Sequence, residues 1–201
     1  MPTTRERILL NAKRLFSENG IANTRLQQIA DETQISVGNL AYHFTNKEEI
    51  VQNLYHQTLD VLSEILEMSK IYPSLESFDG KFSNLYQFME KNIFYFTNFW
   101  EVKRNYPMVH GKIMAFNKKI LVKLKKRIND NVERGVFKKE PQQKNYDLLA
   151  NALLNSINTW LPIQFLNDKP HKEKVFRLYL WNLIYPHLTE KGKKEFSLIH
   201  F

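Results

Sequence analysis

The sequence predicts an all-α fold, and the distribution of its glycines, prolines and apolar residues supports that prediction. The 201 residues include six glycines and seven prolines, which fall mainly between segments of regularly spaced apolar residues. The apolar spacing follows the period of a helix, and no segment alternates at period two for long enough to form a strand. We therefore expect an N-terminal three-helix helix-turn-helix domain followed by a larger helical domain.

Composition excludes several classes of protein. The chain has no cysteine, which rules out disulfides, thiol catalysis and thiolate metal sites. The N-terminus mixes charged with apolar residues and lacks the apolar core of a signal peptide. No apolar run approaches the ~18 residues that a membrane-spanning helix needs. We expect a soluble, cytoplasmic protein without membrane association and without a cofactor.

Three short helices are predicted near the N-terminus, over about residues 4–18, 25–31 and 36–43. Asn19-Gly20 should end the first helix, because glycine accepts the left-handed conformation that follows a helix. Thr24, in a Thr-x-x-Gln pattern, should cap the second helix and Ser36 the third. Two helices joined by a tight turn are the outline of a helix-turn-helix, whose second helix lies in the DNA major groove.

The remainder of the chain is predicted to form longer helices. The fourth should begin at Asn46 and run to about Ser69. Others are expected over about residues 82–100, 112–134, 144–166 and 171–185, with a short segment near Pro107. We place the helix-turn-helix domain at residues 1–47 and the larger helical domain at residues 48–201.

The outer face of the third helix is unusual for a solvated surface. The residues that point away from the predicted core are Val37, Gly38, Asn39, Tyr42 and His43. A helix surface in contact with water alone rarely combines these residue types with so little charge. A surface that fits another molecule can have this composition.

The stretch from Arg7 to Ile50 resembles the DNA-binding domain of the TetR family of bacterial transcriptional regulators. The residues that carry the resemblance are Phe16, Asn19-Gly20, Thr24, Ile29-Ala30, Ile35-Ser36, Gly38, Leu40, Tyr42-His43-Phe44 and Asn46-Lys47-Glu48-Glu49. The resemblance implies a homodimer, in which each subunit has an N-terminal DNA-binding domain and a helical domain for ligand binding and dimerisation. It also implies a repressor that leaves its operator when a small effector binds.

Carried over position by position, the resemblance implies a set of DNA contacts. The phosphate contacts would be Thr24, Arg25, Tyr42, His43 and Lys47, and Ser36 would lie on the same surface. The residues facing base edges would be Gln27, Val37, Gly38 and Asn39. Asparagine and glutamine can pair with adenine, and valine can contact a thymine methyl group. We therefore predict A·T pairs in each half of a pseudopalindromic double-stranded DNA operator.

Three positions depart from the family pattern. Gln34 stands in the turn where the family usually has glycine, and a positive φ is less favourable for glutamine than for glycine. Val37 stands where lysine or a polar residue is common, and Ala41 replaces a frequent aromatic residue. These departures bear on the operator sequence rather than on DNA binding itself.

Positive charge is not concentrated in the helix-turn-helix domain. The formal net charge is +8, yet residues 1–50 hold six basic and six acidic side chains. Residues 112–139 hold ten basic side chains against Asp130 and Glu133. This basic stretch is either a solvated helix face or a surface that attracts an anionic amphiphile, and both interpretations stay open. With few cations near the DNA backbone, we expect operator binding to depend only weakly on salt.

Residues 82–100 form the most aromatic part of the chain, which suits either a dense core or an apolar ligand site. The family has its effector site among these helices. The predicted pocket residues are Phe88, Met89, Asn92, Phe96, Phe99, Trp100, Phe116 and Trp160. They indicate an apolar or amphiphilic small-molecule effector.

The last two long helices are predicted to form the dimer. The helix over 171–185 is too apolar in its second half to be a lone surface helix. The predicted interface residues are Leu153, Ile157, Trp160, Phe176, Leu180, Leu183 and Ile184. Two helices from each subunit would form a four-helix bundle whose two-fold symmetry matches a pseudopalindromic operator. Trp160 and Trp181 fit the core of one subunit equally well.

Enzymatic functions find little support in the sequence. It contains neither a glycine-rich phosphate loop nor a Gly-x-Ser-x-Gly elbow, and its six histidines lack the spacing of a metal site. We therefore expect a protein that is not an enzyme. Two other interpretations are a helix-turn-helix fold that does not bind DNA, and a DNA-bound architectural or partner-binding protein without a small effector.

Overall fold

A computed structural model describes residues 2–67, 74–167, 169 and 171–201, and the chain in these ranges is built from α-helices. The helices are α1 (Thr4–Asn23), α2 (Leu26–Thr33), α3 (Val37–His43), α4 (Lys47–Glu67), α5 (Leu75–Lys91), α6 (Ile93–Thr97), α7 (Phe99–Asn105), α8 (Pro107–Glu133), α9 (Asn145–Leu166), α10 (Glu173–Ile184) and α11 (Glu190–Phe196). Among the described residues, the β-type pairing is limited to an isolated bridge between Phe137 and Leu188. The predicted all-α fold is confirmed.

The chain divides into two compact units. The first unit contains Met1–Val61 and Asn92–Ile113, and the second contains Leu62–Lys91 and Met114–Phe201. The limits of the units therefore fall inside α4, between α5 and α6, and inside α8. The predicted boundary between residues 47 and 48 separates a DNA-binding domain from a helical ligand-binding and dimerisation domain. It stays a prediction. The first unit is larger than the three N-terminal helices alone.

α1 begins where the sequence predicts and continues further than predicted. The Thr3 hydroxyl accepts a hydrogen bond from the Glu6 N–H at 3.2 Å, and the Glu6 carboxylate accepts one from the Thr3 N–H at 2.7 Å. This reciprocal pair is a capping box. Gly20 is non-helical, with φ of 79°, but α1 resumes and runs to Asn23. The glycine interrupts the helix without ending it.

The predicted helix over 82–100 is wrong, because the chain leaves the helical conformation at Asn92 and again at Asn98. α5, α6 and α7 occupy this region instead. Asparagine competes with helix formation by bonding its side chain to nearby backbone, and the Asn98 amide donates to the Phe94 carbonyl at 2.9 Å. Pro107 does not mark a separate short segment, since it is the first residue of α8, where its missing N–H is tolerated. The predicted end of α4 near Ser69 lies outside the described residues.

A buried ionic cluster joins α5 to α10 in the second unit. Arg177 binds both oxygens of the Asp79 carboxylate, with Nε 3.0 Å from Oδ1. The Trp181 Nε1–H donates to the same Oδ1 atom at 2.8 Å. The rings of Phe78 and Phe82 lie 6.1 and 6.0 Å from the Trp181 ring, so the cluster is enclosed by aromatic packing.

Candidate nucleic-acid interface and ligand cavity

The turn between α2 and α3 is tight because Gln34 adopts a left-handed backbone conformation, with φ of 59° and ψ of 48°. The Ile35 N–H donates to the Ala30 carbonyl at 3.1 Å, which closes the end of α2. The Ser36 hydroxyl then accepts from the Asn39 N–H at 3.1 Å and caps α3 as predicted. Gln34 therefore has a backbone conformation that favours glycine, the residue that the family usually has at this position.

α3 presents an uncharged face to solvent, which we call the α3 face. It consists of Val37, Gly38, Asn39 and Tyr42, all exposed, and the Tyr42 side chain is 85% exposed. On the opposite side of the helix Leu40 is fully buried. α3 thus packs against the fold through its Leu40 side, and the predicted base-reading residues on the other side stay accessible.

The flanking residues extend the α3 face. Ser36, Arg25 and Gln27 are exposed, and the Gln27 Nε2 donates to Asp31 Oδ1 at 2.7 Å. This bond leaves the Gln27 amide oxygen as an acceptor. His43 is half-buried, with its ring edge-on to the Tyr42 ring at 5.2 Å.

Thr24 lies inside the fold rather than on the α3 face. It is fully buried, and its hydroxyl donates to the Gly20 carbonyl at 2.8 Å, so the hydroxyl is not accessible to a phosphate. Thr24 also does not cap α2. The N-cap residue is Arg25, whose N–H donates to the Gln28 Oε1 atom at 2.7 Å. A hydroxyl that reaches back to the preceding helix cannot also cap the next one.

Lys47 and Asn98 together hold the end of α1. The Lys47 ammonium donates to the carbonyls of Ile21 at 2.8 Å and Thr24 at 3.0 Å. The Asn98 Oδ1 accepts from the Ile21 N–H at 2.9 Å, and its Nδ2 donates to the Phe16 carbonyl at 3.1 Å. Sequence reasoning missed Asn98, because its partner Ile21 is 77 residues away and no local pattern marks the pair.

The predicted pocket residues belong to two different units, and their role as one pocket stays a prediction. Phe88, Met89, Phe116 and Trp160 are buried in the second unit, whereas Asn92, Phe96, Phe99 and Trp100 belong to the first unit. Trp100 is 65% exposed. Because the chain leaves the helical conformation at Asn92 and Asn98, the aromatic residues that the sequence predicts on one continuous helix lie on three helices instead.

A small cavity of about 50 Å³ lies inside the second unit, among α5, α8, α9 and the end of α4. Its apolar lining consists of Leu66, Phe78, Phe82, Leu85, Ile120, Leu124, Leu154 and Ile157. Lys81, Lys123 and Arg127 complete the lining, so every charged group on the described wall is basic. Two cations of the predicted basic stretch therefore border an apolar cavity.

Lys81 and Arg127 are charged groups in partly buried positions. Burial, followed by the positive charges of Arg127 and Lys123, lowers the pKa of Lys81 to about 8. The Arg127 Nη2 donates to the Ser74 carbonyl and the Ser77 hydroxyl, each at 2.9 Å. Its Nε–H is buried and has no hydrogen-bond partner among the described residues.

Most of the predicted dimer residues belong to the core of the second unit. Leu153, Ile157, Trp160, Phe176, Leu180 and Ile184 are buried, and Leu183 is half-buried. The Trp160 ring packs 5.1 Å from the Phe176 ring. Trp160 and Trp181 are thus core residues of one protomer, which was the other interpretation of these tryptophans.

The outward sides of α9 and α10 carry a different set of apolar residues, which we call the α9–α10 face. It consists of Leu148, Ile163, Leu166, Val175 and Tyr179, all exposed. Asn155 and Thr159 continue the α9 part of this face at helical spacing, without introducing a charge.

The described residues contain neither a cluster of metal-ligating side chains nor a membrane-spanning helix. Over the part of the chain that the structure describes, no three His, Asp or Glu side chains are grouped so as to hold a metal ion. The described helices also include none with the length and apolar character needed to cross a membrane.

Comparison with known sequences gives matches to DNA-binding regulators. Residues 8–54 match the family model described as bacterial regulatory proteins, tetR family. The biofilm operon icaADBC HTH-type negative transcriptional regulator IcaR of Staphylococcus epidermidis is 35% identical over 96 residues, or 45% of either chain. The chain therefore spans less than half the length of this curated relative.

Comparison with solved structures extends the likeness to the whole chain. A TetR-family transcriptional regulator from Marinobacter aquaeolei has a TM-score of 0.86 at 19% identity, covering 98% of this chain and 97% of that one. PfmR, a TetR-family transcriptional regulator from Thermus thermophilus, has a TM-score of 0.71 at 27% identity, covering 88% and 96%. The first likeness concerns the fold alone. The matched proteins are described as regulators rather than enzymes, in agreement with the expectation from the sequence.

Proposed function

We propose that the chain, whose residues 8–54 match the TetR family model, is a TetR-family homodimeric transcriptional repressor acting in the cytoplasm. It would bind a pseudopalindromic operator and leave it when a small apolar or amphiphilic effector binds. The observation that carries the proposal is the α3 face, which is exposed and uncharged on a helix whose other side is fully buried. The description of the staphylococcal relative as a negative regulator favours repression over activation.

The α3 face supplies the groups that a major-groove helix needs. The Asn39 amide can pair with adenine, and Val37 can contact a thymine methyl group. Gly38 allows the start of α3 to approach the base edges closely. Gln27, at the exposed side of α2, adds an amide oxygen that can accept from a base amino group.

The phosphate contacts are fewer than the sequence predicts. Arg25 is an exposed cation, and Tyr42 is an exposed hydroxyl donor. Lys47 is half-buried, and its ammonium already donates to backbone carbonyls. It would therefore contribute positive charge at the start of α4 rather than a direct hydrogen bond to a phosphate. His43 can add a ring N–H. Affinity for DNA would then depend on both subunits binding at once.

Gly38→Ala tests the proposed DNA contact without disturbing the fold. A Cβ atom at Gly38 would meet nothing closer than the Ser36 hydroxyl oxygen at 3.8 Å. Alanine also favours a helix over glycine by about 1 kcal/mol, so the variant should be at least as stable. The methyl group would separate α3 from the groove, and operator affinity should fall by about tenfold or more. Fluorescence anisotropy with an operator selected from random DNA by the wild-type protein measures this loss.

Gly80→Ala is the matched control. Gly80 is exposed on α5, and an added Cβ would have open space around it. This variant should gain similar helix stability and keep wild-type operator affinity. The proposed function fails if the wild-type protein selects no DNA sequence, and α3 is not the reading helix if Gly38→Ala binds the operator as the wild type does.

The α9–α10 face is the proposed dimer interface. Its five exposed apolar residues would remain in water in a monomer, and exposed apolar surface on two neighbouring helices favours a protein interface. One such face on each subunit would build the predicted four-helix bundle. The buried neighbours stabilise the helices from inside and do not touch the partner.

Tyr179→Glu tests this interface. The exposed tyrosine tolerates a charge in the monomer, whereas a glutamate opposite an apolar partner is costly. We expect a folded monomer by light scattering that no longer binds the operator. Leu180→Glu, at a fully buried position, should instead unfold the protein. A dimeric Tyr179→Glu variant with wild-type affinity would locate the interface elsewhere.

A further inference from the structure

The buried side chain of Asn98 stabilises α1 at the point where Gly20 interrupts the helix. Gly20 is non-helical, with φ of 79° and ψ of 159°, and the Ile21 N–H after it donates to the Asn98 Oδ1 at 2.9 Å. The Phe16 carbonyl, in the turn before the interruption, accepts from the Asn98 Nδ2 at 3.1 Å. One amide side chain thus bonds to α1 on both sides of its interruption.

Asn98 is also held in place by its own segment. It lies between α6 and α7, is buried, and its Nδ2 donates to the Phe94 carbonyl at 2.9 Å as well. A buried donor or acceptor that loses its partner is strongly unfavourable, so these bonds define one position for the end of α1. Asn98 lies outside residues 8–54, which match the family model. The position of α1 is therefore fixed in part from outside the DNA-binding motif.

The part of α1 that Asn98 holds leads directly to a proposed DNA contact. Arg25, the exposed N-cap residue of α2, follows Ile21 after a short link in which Thr24 has an extended backbone. The Lys47 ammonium donates to the Ile21 carbonyl at 2.8 Å, so Ile21 is bonded through both its N–H and its carbonyl. A shift of Ile21 would therefore be passed to Arg25.

We propose that Asn98 is a positioning residue for operator binding, which fixes Ile21 and thereby places the Arg25 guanidinium at a DNA phosphate. Arg25 has this role because the Lys47 ammonium is already bonded to backbone carbonyls. Phosphate contacts fix a protein on the duplex, whereas base contacts specify the sequence. Asn98 therefore controls the affinity for the operator and not the sequence preference. This role rests on the proposed function.

Asn98→Ala removes both bonds to α1, and the salt dependence of operator binding measures the consequence. Affinity at 50 mM salt should fall by about tenfold or more, because Arg25 of each subunit loses its phosphate. The slope of log affinity against log salt should change from about −4 to about −2, since two fewer phosphates are neutralised. A loss of folded protein alone would lower the active concentration and leave the slope unchanged. Wild-type affinity and slope in Asn98→Ala would overturn the proposal.

A double-mutant cycle shows whether Asn98 acts through Arg25. Arg25→Ala should weaken operator binding by about tenfold or more in the wild-type background and by less than about threefold in the Asn98→Ala background. The sequence selected from random DNA should be the same for every variant, because neither residue contacts a base. Equal losses in the two backgrounds would show that Asn98 acts independently of Arg25 and would contradict the positioning role.

Hydrogen exchange at the Ile21 amide, followed by NMR, reports the bond to Asn98 directly. Asn98→Ala should accelerate this exchange by about tenfold or more, because the N–H loses its acceptor. The matched control is Asn105→Ala in α7, which removes an exposed asparagine whose Nδ2 donates to Glu101 at 2.8 Å. This control should keep the wild-type exchange rate, affinity and slope. Unchanged exchange in Asn98→Ala would mean that Asn98 does not hold Ile21.

Asp79→Ala controls for a loss of stability without a change at α1. It breaks the buried ion pair with Arg177 in the second unit. The folded fraction of this variant should bind the operator with the wild-type slope. A change of slope as large as that in Asn98→Ala would show that the slope follows stability, and the positioning role would fail.

Operator selection separates this role from the function on which it rests. If the wild-type protein selects an operator and the double-mutant cycle shows no coupling, the repressor function stands and the positioning role fails. If the protein selects no operator, the repressor function fails and the role of Arg25 fails with it. Exchange at Ile21 then still decides whether Asn98 holds α1.

Discussion

The helix-turn-helix domain and the second unit place their charged side chains in opposite ways. On α1 and α2, Arg14 forms ion pairs with Glu18 and Glu32 at the protein surface, and the α3 face itself is uncharged. In the second unit Asp79 and Arg177 form a buried pair. There too, three cations border an apolar cavity.

This difference shows that the excess of positive charge in a protein does not have to mark its DNA-binding surface. The residues 1–50 that contain the DNA-binding helices are electrically balanced, although the whole chain has a net charge of +8. In the proposed function, the α3 face contributes shape and a few hydrogen bonds, and the dimer doubles them.

Asp79→Ala is expected to have the largest effect, because it breaks a buried ion pair. The change leaves the Arg177 guanidinium and the Trp181 N–H without their carboxylate. Breaking a buried pair in this way typically costs about 3–5 kcal/mol. Urea unfolding followed by circular dichroism should show the loss as a lower midpoint. A cost below about 1 kcal/mol would mean that the cluster does not stabilise the second unit.

Glu18→Ala is the corresponding change in the helix-turn-helix domain. It removes the partner of Arg14 at an exposed ion pair, and exposed pairs contribute little to stability. The midpoint of urea unfolding should stay close to that of the wild type. Similar losses in Glu18→Ala and Asp79→Ala would remove the contrast between the two regions.

The salt dependence of operator binding tests the balanced charge of the DNA-binding region. If Arg25 and Lys47 of each subunit neutralise phosphates, the slope of log affinity against log salt should be about −4. Affinity would then fall roughly a hundredfold between 50 and 200 mM salt. Anisotropy titrations over this range measure the slope. A value near −10 would mean that the basic stretch over 112–139 also touches DNA.

The helix-turn-helix domain could be predicted from the sequence because its signals are local. The cap of α1 lies within four residues, and the Ser36 cap and the turn at Gln34 are equally close to the helices that they end or begin. Where a local signal had two possible partners, prediction failed. Thr24 has the residue type of a helix cap, but its hydroxyl bonds to Gly20 behind it.

The second unit and its cavity could be predicted only in part. The sequence left the basic stretch over 112–139 as either a solvated helix face or a surface that attracts an anionic amphiphile, and two of its cations border the cavity. The lining residues themselves come from four helices that are far apart in sequence, so periodicity within one helix could not select them. The same holds for the predicted dimer helices, where apolar periodicity favoured α9 and α10 without separating the buried side from the exposed one.

Gln34→Gly should have the smallest effect and the opposite sign. Gln34 has a φ of 59°, in a region that costs a residue with a Cβ atom roughly 1 kcal/mol and costs glycine almost nothing. The greater freedom of glycine in the unfolded chain offsets part of this gain. The variant should therefore be more stable by up to about 1 kcal/mol in urea unfolding, with unchanged operator affinity, because Gln34 is not part of the α3 face. A loss of stability would show that the Gln34 side chain makes contacts that outweigh its backbone strain, and a loss of operator affinity would extend the DNA-binding surface into the turn.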